Sequence, residues 1–156
     1  METVIVALDG PESERALPAA QELATQFLAR IVIVHVNQLV PGARGGRFPL
    51  HADEDVRVAR LHEVLADLRA QGFDADLELS TTSLGHPATI IANAAERHSA
   101  GRIVLAGRNR GPVLGALGSG VSRKLLRSAP CPVLVVTPET TRETFQPVSR
   151  RQPAAA

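Results

Sequence analysis

Tryptophan and tyrosine are absent from this chain, and phenylalanine occurs only four times. Domains that bind single-stranded nucleic acid stack the bases on aromatic side chains, so such stacking surfaces are scarce here. The formal net charge is only +1 at pH 7, which gives the chain no overall attraction for a phosphate backbone. These two deficits predict that nucleic acid is not a partner of the protein.

Cysteine and long apolar runs are also scarce. Cys131 is the only cysteine, so no internal disulfide can form, and its place between two prolines is typical of a small apolar filler. No stretch approaches the roughly 18 consecutive apolar residues of a membrane-spanning helix, and no basic segment precedes an apolar one near residue 1. The sequence therefore predicts no membrane association, no secretory signal and a cytoplasmic location.

Motifs that mark common enzyme sites are missing as well. The chain contains neither a Gly-x4-Gly-Lys-Ser/Thr segment nor a Gly-x-Ser-x-Gly segment. The histidines lack the paired spacing of metal ligands; they are His35, His51, His62, His86 and His98. His35 lies in an apolar strand and is expected to be a core or crevice-edge residue rather than a base. We therefore expect no catalytic residue and no metal site.

The composition is that of a globular domain, with 44% hydrophobic and 21% charged residues. A chain of 156 residues is long enough to bury one hydrophobic core. We assign residues 1–138 to a single α/β domain. Residues 139–156 form a polar tail with a Pro-Ala end, and we expect this tail to be flexible.

Short apolar runs alternate with segments of helical periodicity along the domain. The predicted strands are Val4–Leu8, Ile31–Val36, residues 75–80, Ile103–Ala106 and Val133–Val136. The first helix begins either at Ser13 or near Pro18, because a proline inside a helix removes a hydrogen bond. A second helix runs from Asp53 to Gly72, and a third follows Pro87. Residues 37–52 are predicted to be an irregular loop.

This alternation predicts a three-layer α/β sandwich with right-handed crossovers between parallel strands. In such sheets ligands bind beyond the carboxyl ends of the strands. Asp9, Val36 and Gly107 each lie at such an end, so three separate segments are expected to converge on one crevice. Asp9 there either binds a ribose hydroxyl or a metal ion carried on phosphates, or simply caps the following helix.

The stretch from Ile103 to Val136 carries the most distinctive pattern. Its two strands are separated by a glycine-rich segment with Gly107, Gly111, Gly115, Gly118 and Gly120. Ser119 and Ser122 lie where a helix must begin. Glycines let a backbone approach closely, and N–H groups at a helix start attract anions, so the pattern indicates a phosphate site. Alternatively, the glycines only shape a strand-to-helix connection, and the seven basic residues between Glu96 and Glu139 cover a solvated surface.

Several segments together resemble the universal stress protein family over nearly all of residues 3–137. They are VIVALDGPESERAL, with Pro11 where the family usually has serine, VHV at residues 34–36, GHPATIIANAAERHSAGRIVLAGRNRG and GSGVSRKLLRSAPCPVLVV. The resemblance implies a five-stranded parallel sheet of order 3-2-1-4-5 with helices on both faces. It also implies a homodimer through the last strand, whose residues are Val133, Leu134, Val135 and Val136.

One branch of this family binds ATP in the crevice, and the resemblance implies a set of ligand residues here. The adenine and ribose side comprises Ala7, Leu8, Asp9 and Val36. The phosphate side comprises Ala106, Gly107, Asn109, Ser119, Val121 and Ser122, with Arg110, Gly118 and Gly120 in the same segment. The phosphates of bound ATP can carry Mg²⁺.

The glycine spacing departs from that branch, which has Gly-x2-Gly-x9-Gly followed by serine or threonine. Arg110 stands at the second glycine, and Gly118-Ser119 lies two residues closer to Gly107 than this spacing requires. Gly120 keeps the spacing but is followed by valine. Arg110 either fills the phosphate site, as in the branch that binds no nucleotide, or clamps the phosphates.

Two hypotheses of different class follow. The favoured one is an ATP-binding stress-response or signalling protein with little or no hydrolysis. The alternative is a nucleotide-free dimeric interaction module of the same family. No residue is an obvious base for activating water, so we expect at most a slow ATP hydrolase.

Overall fold

A computed structural model of the chain describes residues 1–83, 85–107 and 120–138. All structural statements below concern these ranges. The centre of the predicted glycine-rich loop, residues 108–119, and the predicted tail, residues 139–156, lie outside them. The predictions made for these two segments therefore stay predictions.

A mostly parallel sheet forms the centre of the domain. Its strands are β1 (Thr3–Ala7), β2 (Arg30–Pro41), β3 (Arg47–Pro49), β4 (Ala75–Thr82), β5 (Ala100–Ala106) and β6 (Val133–Val136). In parallel pairings, β1 lies beside β2 and β5, β2 beside β4, and β5 beside β6. The predicted α/β class with parallel strands is confirmed, and the carboxyl ends of these five strands lie on one side of the sheet.

The prediction of a five-stranded sheet of order 3-2-1-4-5 is wrong for the sheet as a whole. Six strands are present, in the order β3-β2-β1-β5-β6, and β4 pairs with β2 off this path. The additional strand lies inside the segment predicted to be irregular. Here β2 continues to Pro41, and the chain returns as the antiparallel β3 after Gly45 and Gly46, which both have positive φ. Pro41 and Pro49 end the short antiparallel pairing, where a missing N–H is tolerated.

Helices pack on both faces of the sheet; they are α1 (Leu17–Phe27), α2 (Glu54–Ala70), α3 (Pro87–Arg97) and α4 (Gly120–Ser128). One hydrophobic core joins α1 and α2 to alternate strand residues such as Val4 and Ile31. The other joins α3 and α4 to the intervening ones, such as Ile5 and Val32. This alternation gives three layers, because successive side chains of a strand point to opposite faces. None of the described helices is long and apolar enough to cross a membrane.

The first helical segment has two parts. Pro11–Ala16 forms a 3-10 helix, and α1 then begins at Leu17 with Pro18 in its first turn. A proline there removes no helical hydrogen bond, because the first N–H groups of a helix have no partner within it. The start near Pro18 is therefore confirmed for the α-helix. Ser13 lies in the 3-10 part, where its hydroxyl donates to the carbonyl of Gly10 at 2.6 Å.

A buried polar contact joins β2 to the start of α2. His35 is 1% exposed; its Nδ1 lies 2.9 Å from the carbonyl oxygen of Leu8 and its Nε2 lies 2.5 Å from Oε1 of Glu54. Because a carbonyl only accepts, Nδ1 carries a hydrogen, and a second proton lies between Nε2 and the carboxyl group. Glutamate is seldom buried without a partner. This contact therefore accounts for the burial of both side chains.

Glu54→Leu should destabilise the fold markedly. The change leaves Nε2 of the buried His35 without its partner, and an unsatisfied buried polar group costs about 1–3 kcal/mol. Denaturant unfolding followed by circular dichroism measures the free energy of unfolding without any need for tryptophan.

Glu63→Leu is the matched control for this experiment. It removes an exposed glutamate from the same helix, where Glu63 pairs with Arg60 at 2.9 Å. Its free energy of unfolding should stay within about 0.5 kcal/mol of wild type. Equal losses for the two variants would contradict a specific role for the buried contact.

Candidate functional site

A cavity of about 290 Å³ opens at the carboxyl ends of β1, β2 and β5. Strand residues form its floor: Ala7 from β1, Val34 and Val36 from β2, and Leu105 and Ala106 from β5. Leu8, Asp9 and Gly107, which directly follow two of these strands, also line it. Three separate segments thus meet at one crevice, as the positions of Asp9, Val36 and Gly107 predict.

Two helices begin beside this cavity. Pro87 is the first residue of α3 and Val121 the second of α4, and both line the cavity together with Ile91 from the next turn of α3. The first N–H groups of a helix lack partners within the helix, and its dipole adds partial positive charge there. The cavity therefore combines an apolar wall with two helix starts, an arrangement that suits a flat apolar ring and an anionic group.

The turn after β1 fixes the backbone of Asp9. The N–H of Asp9 donates to Oγ of Ser13 at 2.8 Å. Gly10 has a φ of 76°, a conformation that other residues rarely adopt, so the turn requires glycine at this position. The carboxylate of Asp9 is 40% exposed. It can accept hydrogen bonds from a ligand but cannot donate them while ionised.

Arg57 on α2 forms an ion pair with the carboxylate of Asp9. Its Nη1 donates to Oδ1 of Asp9 at 2.9 Å, and its Nε donates to Oδ1 of Asp53 at 3.0 Å. The hydrogen bond from Arg57 lowers the pKa of Asp53 below its ordinary value. His51 lies nearby, but its Nε2 is 3.8 Å from Oδ2 of Asp9, too far for a hydrogen bond. The carboxylate of Asp9, which lines the cavity, is therefore part of an ion-pair network with Arg57 and Asp53.

Seven of the ligand residues implied by the resemblance line the cavity: Ala7, Leu8, Asp9, Val36, Ala106, Gly107 and Val121. Gly120 is exposed at the start of α4 and Ser122 is buried within that helix, and neither is among the lining residues. Asn109, Arg110, Gly118 and Ser119 lie outside the described residues. The structure thus brings together the adenine and ribose side of the predicted site.

Other lining residues were not proposed as ligand residues from the sequence: Glu12, Ser13, Arg15, Gln38, Leu50, His51, Pro87 and Ile91. Helical spacing offered a signal for Pro87 and Ile91, which lie four residues apart on one face of α3. Leu50 and His51 follow the β2–β3 hairpin, whose pairing does not show in the local pattern. Within the described ranges, no group of three histidine, cysteine, aspartate or glutamate residues could hold a metal ion.

Solved structures share this fold. A universal stress protein in complex with cAMP is 22% identical, with a TM-score of 0.64, and the match covers 87% of this chain and 96% of that one. The universal stress protein of Archaeoglobus fulgidus in complex with dAMP is 21% identical, with a TM-score of 0.61, and the match covers 86% and 96% of the two chains. At these identities the likeness concerns the fold alone.

Sequence relationships extend the likeness to the family. The model of the universal stress protein family matches residues 1–137. A curated Thermus aquaticus protein, described as the universal stress protein in the QAH/OAS sulfhydrylase 3′ region, is 33% identical over 135 residues. That match covers 86% of this chain and 97% of the relative. On these matches, and with the fold they accompany, the chain belongs to the universal stress protein family.

Proposed function

We propose that the protein binds an adenine nucleotide, with ATP as the principal ligand, in the cavity at the carboxyl ends of β1, β2 and β5. The observation that carries the proposal is the cavity itself. Its wall places apolar strand residues beside the carboxylate of Asp9, close to two helix starts. This combination matches the three parts of a nucleotide: an apolar base, a ribose with hydroxyl donors and a chain of phosphates.

The size and lining of the cavity support the base and ribose part. A volume of about 290 Å³ is close to the lower limit for ligand pockets, whose range is roughly 300–1,000 Å³. The side chains of Val36, Ile91 and Leu105 offer the apolar contacts that the faces of adenine need. Asp9 offers an acceptor for a ribose hydroxyl.

The phosphates would lie toward the start of α4 and the preceding glycine-rich segment. Helix N–H groups and the helix dipole favour negative charge at such a place. Ser119, Arg108 and Arg110 in the glycine-rich segment would add hydrogen bonds and positive charge. Mg²⁺ would be carried on the phosphates, because this ion is commonly held by substrate phosphates with only one or two protein carboxylates.

Two solved neighbours support an adenine nucleotide as the ligand class, since they are described as complexes with cAMP and dAMP. We propose a signalling role in the stress response, in which bound nucleotide biases the conformation or the choice of partner. We propose that the protein hydrolyses the bound ATP slowly or not at all.

Calorimetric titration with ATP, with and without magnesium, tests the proposal. Wild type should bind, and Ser119→Ala should weaken binding roughly tenfold to a hundredfold, because it removes one hydrogen bond to a charged group. Ser128→Ala is the control, since it alters a serine at the other end of α4, where the hydroxyl donates to the carbonyl of Lys124. Its affinity for ATP should equal that of wild type.

Arg110→Gly distinguishes the two roles of this arginine, because it restores the glycine of the ATP-binding branch. If Arg110 clamps the phosphates, the change should weaken binding; if it fills the phosphate site, the change should create or tighten binding. If neither wild type nor Arg110→Gly binds ATP, the result would contradict the nucleotide proposal and favour the nucleotide-free interaction module.

We also propose a homodimer formed through β6. In the described part of the chain β6 pairs with β5 on one side only, and Leu134 is 41% exposed. An uncovered strand edge with apolar residues is prone to pair with another chain. A second copy would cover this edge through a symmetric contact.

Leu134→Glu should convert the dimer to monomer, because it places a charge in the proposed interface. Leu79→Glu is the matched control: Leu79 is an exposed leucine, at 47%, on β4 at the other side of the sheet. Light scattering at tens of micromolar measures the molecular mass, in a range where weak dimers are populated. A wild-type monomer, or an unchanged dimer for Leu134→Glu, would contradict an interface at β6.

A further inference from the structure

We propose that Arg57 is a positioning residue for the nucleotide site: it holds one oxygen of Asp9 so that the other oxygen accepts a hydrogen bond from a ribose hydroxyl. The inference rests on the proposed function and adds to it the element that sets the preference for ribose. Arg57 lies in α2, outside the four sequence segments quoted above for the resemblance.

The hydrogen bonds of Arg57 fix its guanidinium group at two points. Nε donates to Asp53 at 3.0 Å and Nη1 donates to Asp9 at 2.9 Å. The side chain is only 17% exposed, which limits its motion and its exchange with water. A planar guanidinium group held by two carboxylates defines the position of both of them.

Because of this contact, the two carboxylate oxygens of Asp9 have different hydrogen-bond partners. Oδ1 accepts from Arg57, whereas the described residues make no hydrogen bond to Oδ2, and the His51 ring lies 3.8 Å away. Asp9 lines the cavity. An ionised carboxylate only accepts hydrogen bonds, so Oδ2 selects a hydroxyl or N–H donor and disfavours a phosphate.

The position of α2 is itself fixed behind the cavity. Glu54, in the first turn of α2, bonds to the buried His35, and His35 also bonds to the carbonyl of Leu8. Leu8 directly precedes Asp9, and Arg57 lies three residues after Glu54. The strand end and the helix are thus connected at two points, which places Nη1 of Arg57 within hydrogen-bond distance of Asp9.

The turn below Arg57 supports the same assignment. A Cβ added at Gly10 would lie 2.6 Å from Nη1 of Arg57, so a side chain at this position would displace the guanidinium group. The left-handed φ of Gly10 itself favours glycine at this position. Gly10, which directly follows Asp9, therefore leaves room for Arg57, and Arg57 orients the Asp9 carboxylate.

Calorimetric titration with AMP, 2′-deoxy-AMP and 3′-deoxy-AMP tests the inference, because each deoxy analogue differs from AMP only by the loss of one ribose hydroxyl. Wild type should bind AMP roughly tenfold more tightly than at least one deoxy analogue, the effect of one hydrogen bond to a charged group. Arg57→Met removes the donors and keeps the alkyl chain. It should lower the affinity for AMP and leave that for the same deoxy analogue within about twofold, so that the preference disappears.

Two further variants separate positioning from general stability. Asp9→Ala should abolish the same preference, and adding Arg57→Met to it should cause no further loss, because the arginine acts through Asp9. Arg57→Lys keeps one charged donor and should restore part of the preference. Arg60→Met is the control: Arg60 lies on the same helix as Arg57, pairs with Glu14 and Glu63, and does not line the cavity, so this change should leave the preference unchanged.

The outcomes are distinct. A wild type that binds neither ATP nor AMP overturns both the proposed function and this inference, and one that binds ATP but not AMP overturns the inference alone. Wild-type binding without any preference between AMP and the deoxy analogues overturns the inference alone. An Arg57→Met protein that keeps the preference, loses affinity for all three ligands equally, or binds AMP more tightly also overturns it, the last because Arg57 would then compete with the ligand.

Discussion

The position of one buried imidazole determines how the crevice is built. His35 lies in the middle of β2 and bonds on one side to the backbone after β1 and on the other to Glu54 in α2. A buried imidazole and a buried carboxyl group are costly unless each satisfies the other, so the two elements must approach in this one way. The contact therefore determines where α2 starts relative to the end of β1.

Both faces of the same strand take part in this arrangement. Val34 and Val36 point to the cavity face, whereas His35 between them points to the face covered by α1 and α2. A short stretch of β2 thus contributes the apolar floor on one face and the anchor of α2 on the other. The hairpin of β2 and β3 leads into α2 through Leu50 and His51. Anchoring the helix therefore also limits where these two residues can lie beside the cavity.

Much of the fold could be predicted from the sequence, because each interior strand is a short apolar run and the helices carry apolar residues three and four positions apart. β6, for example, has the predicted bounds Val133–Val136. The β2–β3 hairpin could not be predicted in the same way. Glycines, prolines and arginines interrupt its apolar residues, and the pairing depends on the register between two short segments rather than on local preference.

The candidate site, too, could be predicted only in part from the sequence. Strand ends marked Asp9, Val36 and Gly107 as neighbours, since parallel strands carry their carboxyl ends to one side. The contacts of Arg57 and Glu54 with these strands were not predictable, because both residues belong to a helix whose charged positions look like an ordinary solvated face. Only the three-dimensional packing shows that Glu54 is buried and that Arg57 reaches Asp9.

The central claim is that an adenine nucleotide occupies the cavity at the carboxyl ends of the strands. Nuclear magnetic resonance of ¹⁵N-labelled protein titrated with AMP tests the position of the ligand directly, residue by residue. The backbone amide signals of Leu8, Val36 and Gly107 should shift, while those of Ala75 and Ala100, at the opposite ends of the strands, should not. Shifts confined to the opposite ends, or no shifts at saturating AMP, would contradict the account.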